Sequence, residues 1–340
     1  MSVLKNFYQE IVEKDDKNEW IFLLGSNYVK ETEKIKVHTF PEIKKSWIKR
    51  LMFDFISGKK VINQFQPDLY FSLQNTATLG VNVKQLVYLH QPLPYQKEKR
   101  FSFFSKSEVK YAVYQKVIGR IYNFLFKHTK ARIIVQTNWM RKEVSKVLAN
   151  DISLISPNIN LEQRDDFTLE ENPVIFFYPA ANLLYKNHKV IFEAVDILVK
   201  KGITNFKVAV TIENSNVKNK QMFEFLGKIS QDEVFEYYKK SILLFPSYIE
   251  TYGLPLKEAQ YFGTPIIASK TDFSDEILTG YPRRHFFNKF DSLELSEIMQ
   301  KCISQKFDDL ENKEKNASDY KILKSKFTII DCIYEMEDGL

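Results

Sequence analysis

The stretch FPSYIETYGLPLKEAQYFGTPIIAS, residues 245–269, sets two glutamates, Glu250 and Glu258, on either side of a Gly-Leu-Pro turn. The apolar run just before it has the composition of a buried strand, so residues 248–254 read as the loop at that strand's carboxyl end. Pro255 suits the first turn of a helix, and Gly263 with Pro265 two residues on is a stop signal. Glu250 then lies in the loop and Glu258 about one turn into the helix. Between them, the amides around Gly253 and Leu254 form a helix start suited to a phosphate, and Gly253 lets a ligand approach the backbone. Carboxylates accept hydrogen bonds from the vicinal hydroxyls of sugars. A sugar–diphosphate–ribose ligand matches carboxylate, amide cradle and second carboxylate in that order. Two solvated glutamates could share the spacing; the frame PSxxExxGxPxxEAxxxGxP around them favours the chemical reading.

Such a loop needs a scaffold, and 340 residues suggest two domains. With 44% hydrophobic and 27% charged residues the composition is globular. The formal charge of +6 is too small by itself to argue for a nucleic-acid partner. The amino terminus is charged throughout, unlike a signal peptide, and no apolar run approaches the roughly 20 residues that span a bilayer. Cys302 and Cys332 stand far apart, and the five histidines show no ligand spacing. A reduced, cytoplasmic protein without a metal site is expected. Neither GxGxxG nor GxxxxGK[ST] occurs, which excludes the common dinucleotide and P-loop signatures.

Runs rich in β-branched and aromatic residues predict strands at 19–26, 68–73, 85–90, 132–137, 152–156, 174–180, 206–212, 222–227, 241–247 and 265–269. Helical patterns separate them, among them 188–202, stopped by Gly202, and 230–241, opened by a Ser230/Glu233 capping box. Alternating elements of this kind predict an α/β protein of two Rossmann-like, doubly wound domains. The acidic stretch NINLEQRDDFTLEENP, ending in proline, marks a linker. The expected divisions are 1–158, a linker at 159–172, a second domain at 173–318, and a helical tail at 319–340 packing back toward the first domain.

At this point a resemblance becomes specific. PSYIETYGLPLKEAQYFGTPIIAS resembles the donor-site signature, E-x7-E, of the family 4 retaining glycosyltransferases, whose two domains face a cleft in the GT-B fold. FEFLGKISQDEVFEYYKKSILLFPS, FFYPAANLLYKNHKVIFEAVDIL and ISPNIN resemble further segments of that family. DLYFSLQNTATLG and QLVYLHQPLPY are similar to bacterial capsule and O-antigen sugar transferases. The resemblance makes the first domain acceptor-binding and the second nucleotide-sugar-binding. It gives Glu250 to the transferred sugar, Glu258 to the ribose, and Lys186 with Asn187 to the phosphates. The backbone at Gly253 and Leu254 takes the diphosphate or sugar, and that at Leu226 and Gly227 borders the base. His90 faces the donor sugar as a second catalytic residue, although a histidine capping its own strand end fits the sequence equally. Asn75 and Thr76 fall to the acceptor. Two departures stand out. Ala180 occupies the place of a usual arginine, and SVLKNFYQEIVEK resembles the helix that follows a first strand and Gly-rich loop in the family, which implies that those are missing here.

The implied reaction moves a sugar from a nucleotide-diphosphate sugar to a glycan or polyprenyl-diphosphate-linked acceptor, with retention and without a cofactor or metal. The implied setting is surface polysaccharide synthesis. Residues 97–132 interleave ten Lys and Arg with eight aromatics, a composition that suits a helix on an anionic membrane at the inner face, or simply a solvated helix with core aromatics. Two alternatives remain: a GT-B nucleotide-sugar epimerase, and a non-catalytic or truncated sugar-nucleotide-binding protein.

Overall fold

The computed structural model describes residues 2–14, 17–44, 46–157, 159, 161, 167–169, 173–304 and 327–337. Most of the linker expected at 159–172 and the start of the tail expected from 319 lie outside the described residues. The chain forms two compact units. One comprises 1–95, 111–158 and 324–340; the other comprises 96–110 and 159–323.

In the first unit, β1 (Trp20–Leu24) and β2 (Ile35–Thr39) make a parallel pair. A separate parallel sheet runs β3 (Leu69–Ser72), β4 (Lys84–Tyr88), β5 (Arg132–Val135), β6 (Ile152–Leu154), in chain order. Leu86, Ile133 and Ile134 are fully buried, as near-continuous apolar strands between helical layers must be. Phe7 and Ile11 of the helix Ser2–Lys14 share one core with Phe22, Leu86, Tyr88 and Ile134. Ile330 and Ile333 of the helix Ile329–Glu337 complete it. Lys14 pairs with Asp331 at 2.8 Å at the rim of that cluster.

Helices in this unit are interrupted twice by π-turns, Phe53–Ser57 and Tyr114–Ile118. Stretch 97–132 is therefore not one helix. It starts as an irregular segment assigned to the second unit, turns helical at Val109, passes the second π-turn, and ends in β5. Several of its aromatics are core: Phe101, Tyr122 and Phe126 are buried, while Phe103, Phe104 and Phe124 are exposed.

In the second unit, six parallel strands run β12 (Arg284–Phe287), β11 (Ile266–Ser269), β10 (Ile242–Phe245), β7 (Val174–Tyr178), β8 (Phe206–Val210), β9 (Phe223–Phe225). Ile242 pairs with Phe176 and Leu243 with Ile266, so β7 and β10 are central. From β7 the chain winds outward through β8 and β9, and from β10 it winds the opposite way. The reversal lies between β7 and β10, and the crevice beyond their carboxyl ends is where open α/β sheets bind ligands.

All ten predicted strands form. β2 and β12 were not expected: β2 has three of its five residues exposed, β12 has three of its four only half-buried, and polar or charged side chains mask the pattern. The helix Gln231–Lys240 carries the predicted capping box, Glu233 N–H donating to Ser230 Oγ at 3.2 Å and Ser230 N–H to Glu233 Oε2 at 2.7 Å. No described helix is long and apolar enough to cross a membrane.

Candidate donor site

β10 delivers the opening motif. Residues 242–249 are all buried, and the chain emerges at the half-buried Glu250. Gly253 has φ of 81°, a left-handed conformation that glycine adopts without a Cβ penalty, and begins the helix Leu254–Tyr261 with Pro255 in its first turn. No side chain caps that start, and with Pro255 lacking an N–H and the Leu256 N–H donating to the Gly253 carbonyl at 2.9 Å, the Leu254 amide is what the helix start offers a ligand.

The loop after β7 comes to the same place. It closes in the short turn Leu184–Lys186, held from below by the Tyr178 hydroxyl, which donates to the Lys186 carbonyl at 2.8 Å. The Lys186 ammonium forms an ion pair with Glu250. Ser247 Oγ donates to Glu250 Oε1 at 2.8 Å, and Tyr248 N–H donates to the Tyr185 carbonyl at 3.1 Å, which stitches the two loops together. Asn187 has φ of 58°, and its Nδ2 donates to the Lys289 carbonyl at 2.5 Å, so it braces the loop in place.

Glu258 lies on the helix beyond the amide cradle. Tyr238, fully buried, donates its hydroxyl to Glu258 Oε2 at 3.2 Å. Burial pushes the Glu258 carboxyl above its ordinary range, against the pull of the Tyr238 hydrogen bond. Nearby, His188 opens the helix after Lys186 and packs at a tilt against Tyr178 with ring centroids 4.9 Å apart. Burial pushes its imidazole down to about 4, so it is neutral at physiological pH.

Leu226 and Gly227 follow β9, anchored by Leu226 N–H to the Val210 carbonyl at 2.9 Å and Gly227 N–H to the Ile212 carbonyl at 3.3 Å. Gly227 has φ of 62° and open space where a Cβ would stand. Lys186, Asn187, Glu250, Gly253, Leu254, Glu258, Leu226 and Gly227 thus all sit at the carboxyl end of one sheet. Sequence reasoning gave no role to Ser247 and Tyr238, although both lie inside the quoted segments. Their hydroxyls act by reaching a partner, which only the fold defines.

The first unit holds the other expected residues. His90 stands two residues beyond β4 and Asn75 in the turn after neighbouring β3, the two side chains in hydrogen-bond contact. Thr76 is buried, with its hydroxyl accepting from Arg50 Nη2 at 2.8 Å, inside a network where Arg50 and Thr78 also bond Asp54. Among the described residues no group of three His, Cys, Asp or Glu could hold a metal.

Two parallel α/β units with this site are the architecture of the GT-B glycosyltransferases, and solved structures of that class share the fold. The chain superposes on WaaG, a glycosyltransferase involved in lipopolysaccharide biosynthesis, with a TM-score of 0.64 and 11% identity over 89% of this chain and 86% of that one. A sucrose-phosphate synthase from Thermosynechococcus elongatus gives 0.62 and 14% over 89% and 84%. Residues 160–321, which include the candidate site, match the family model of glycosyl transferases group 1. A curated relative, the O-antigen chain mannosyltransferase RfbU of Salmonella typhimurium (strain LT2), is 25% identical over 175 residues, 48% of this chain and 50% of its own length. The chain thus spans about half the length of the curated relative it matches.

Proposed function

We propose that the protein transfers a sugar from a nucleotide-diphosphate sugar to a glycan or lipid-linked acceptor in bacterial surface polysaccharide synthesis, with retention and without a metal. One observation carries this reading: Glu250, the uncapped helix start at Leu254 and Glu258 follow one another at the reversal point of the second sheet, in the order of sugar, diphosphate and ribose.

Each group has a step. Glu258, set by Tyr238, accepts from the ribose hydroxyls. The helix start and Lys186 face the diphosphate, whose charge grows as the glycosidic bond breaks; fixed donors of this kind stabilise a leaving group without reorganising. They fill the part a metal would otherwise take. Lys186 is neutralised by Glu250 before ligand arrives, so binding exchanges that ion pair for one with phosphate and frees Glu250 for the sugar hydroxyls. No protein nucleophile is assigned.

A peripheral position at the inner face of the membrane fits the first unit. Ile48, Met52 and Ile56 are exposed along one segment, and Val117 and Phe124 along another. Phe55 stacks on Phe124 with centroids 5.9 Å apart, which brings the two segments side by side, and Lys59, Lys60, Arg120 and Lys127 are exposed around them. Apolar side chains within a basic surface favour anionic lipid. Salt-sensitive sedimentation with phosphatidylglycerol vesicles is the expected result; none would remove the membrane from the reading.

Calorimetry with a panel of uridine, guanosine and thymidine diphosphates tests the site itself. One nucleotide should bind tightest, and Glu258→Ala should weaken it about tenfold, the worth of a charge-assisted hydrogen bond. Equal affinity in the variant counts against the ribose role. Incubating the donor sugar alone separates transfer from epimerisation, which needs no acceptor.

A further inference from the structure

In the first unit, the protonation state of one histidine is decided by a single backbone amide. Asn75 has φ of 64°, a conformation that asparagine tolerates better than most residues. The His90 backbone N–H donates to Asn75 Oδ1 at 2.7 Å. That N–H requires the oxygen of the carboxamide, so the amide has one orientation, with its NH2 turned to the imidazole. There Asn75 Nδ2 lies 3.2 Å from His90 Nε2. An NH2 group only donates, so Nε2 must offer a lone pair. A neutral imidazole keeps one protonated nitrogen, and the Tyr88 backbone acts on the ring as an acceptor. With Nε2 unprotonated, that nitrogen is Nδ1.

We infer that Asn75 is a positioning residue that holds His90 as the neutral Nδ1–H tautomer, so that this unit presents an uncharged imidazole and not a cation. The tautomer rests on the contacts alone; its part in catalysis rests on the transferase reading above. For that reaction the reason is electrostatic. In the transferase reading, which gives His90 to the donor sugar, positive charge develops at the anomeric carbon as the bond to the diphosphate breaks, and an imidazolium would oppose it.

The surroundings agree. Desolvation by the surrounding protein lowers the His90 pKa from its ordinary value, opposed by the hydrogen bond to the Tyr88 backbone, although part of the ring stays open to solvent. The Tyr88 ring lies 6.1 Å away, centroid to centroid. Its hydroxyl accepts from Gln136 at 2.8 Å and burial pushes its pKa upward, so it stays neutral and lends His90 no charge.

The test is a two-bond proton–nitrogen NMR spectrum of the full-length, 15N-labelled protein, with His90 identified through His90→Gln. The wild type should show a protonated Nδ1, an unprotonated Nε2 and a midpoint below about 6.5. Asn75→Asp keeps an oxygen for the backbone N–H and sets a carboxylate against Nε2. It should move the proton to Nε2, raise the midpoint, and shift the pH profile of transfer so that kcat at pH 6 falls about tenfold relative to pH 8. A wild-type Nε2–H tautomer overturns the inference, and that measurement needs no variant. An unmoved midpoint, or an unmoved pH profile, in Asn75→Asp overturns it as well. Absence of wild-type turnover on every nucleotide sugar overturns the transferase reading and the kinetic role with it, while the spectra still judge the tautomer.

Discussion

Lys186 and Glu250 form an ion pair that joins the loops after the two central strands of the second sheet, each side chain only 17% exposed. In the proposed mechanism this cation and carboxylate hold one another where the ligand's phosphates and sugar hydroxyls are to stand. Lys186→Met should weaken nucleotide-diphosphate binding by about 10- to 100-fold, because it removes a charge-assisted contact and leaves Glu250 to repel the phosphates. Calorimetry with the tightest nucleotide reads the change, and an affinity within twofold of wild type would exclude Lys186 from the phosphate site.

Tyr238 orients Glu258 without any contact to ligand in the proposed arrangement. Tyr238→Phe should therefore cost about 1 kcal/mol in stability and weaken nucleotide binding less than Glu258→Ala does. A denaturant titration and one binding isotherm measure the two effects.

Glu258→Gln should separate stability from binding. The folded-state pKa of Glu258 lies above its ordinary value of 4.5, raised by burial. Stability from this group is complete below the unfolded pKa and is lost as pH rises through the folded one. At pH 7.5 the wild type has lost it, so the neutral amide should raise Tm there while nucleotide affinity falls. A Tm lower than wild type at pH 7.5 would contradict the burial argument.

His188 has the opposite sign. Its imidazole titrates near 4 in the folded protein, against an ordinary value of 6.5. The unfolded chain takes up the proton first as pH falls, so stability present above pH 6.5 is lost between 6.5 and about 4. By linkage this amounts to about 3 kcal/mol. His188→Phe keeps the ring packing against Tyr178 and should flatten the pH dependence of urea midpoints over that window.

Gly253→Ala should affect both fold and ligand. At φ of 81° an L-residue is strained, and the added Cβ would lie 3.3 Å from Leu256 Cδ1. A loss of about 1–2 kcal/mol is expected, together with a higher KM for the donor as the amide cradle shifts. Gly227→Ala has φ strain but open space, so its stability loss should be the smaller.

Transfer should persist in excess EDTA with unchanged kcat, since Lys186 and the helix start supply the charge stabilisation in the proposed mechanism. Loss of turnover restored by added magnesium would replace that mechanism with a metal-assisted one.

The central strands were legible in the sequence because they are buried on both faces, which leaves long apolar runs such as ILLF and IIAS. The Gly-Leu-Pro helix start was legible for a similar reason: glycine and proline have local conformational rules that hold whatever surrounds them. Edge strands β2 and β12 were not, since half-open strands carry polar residues that erase the pattern. Thr76 shows the limit at the level of a side chain: its burial against Arg50, more than twenty residues earlier, leaves no mark in the residues around it.

The sequence by itself determined the α/β class, the order of the strands along the chain, and the two carboxylates around an amide cradle, because each follows from local periodicity or from backbone rules. Only the tertiary structure decided which loops meet. The pairing of Lys186 with Glu250, Tyr238 with Glu258, and Asn75 with His90 depends on strand order within a sheet, and strand order is set by long-range packing that leaves no mark at the residues themselves.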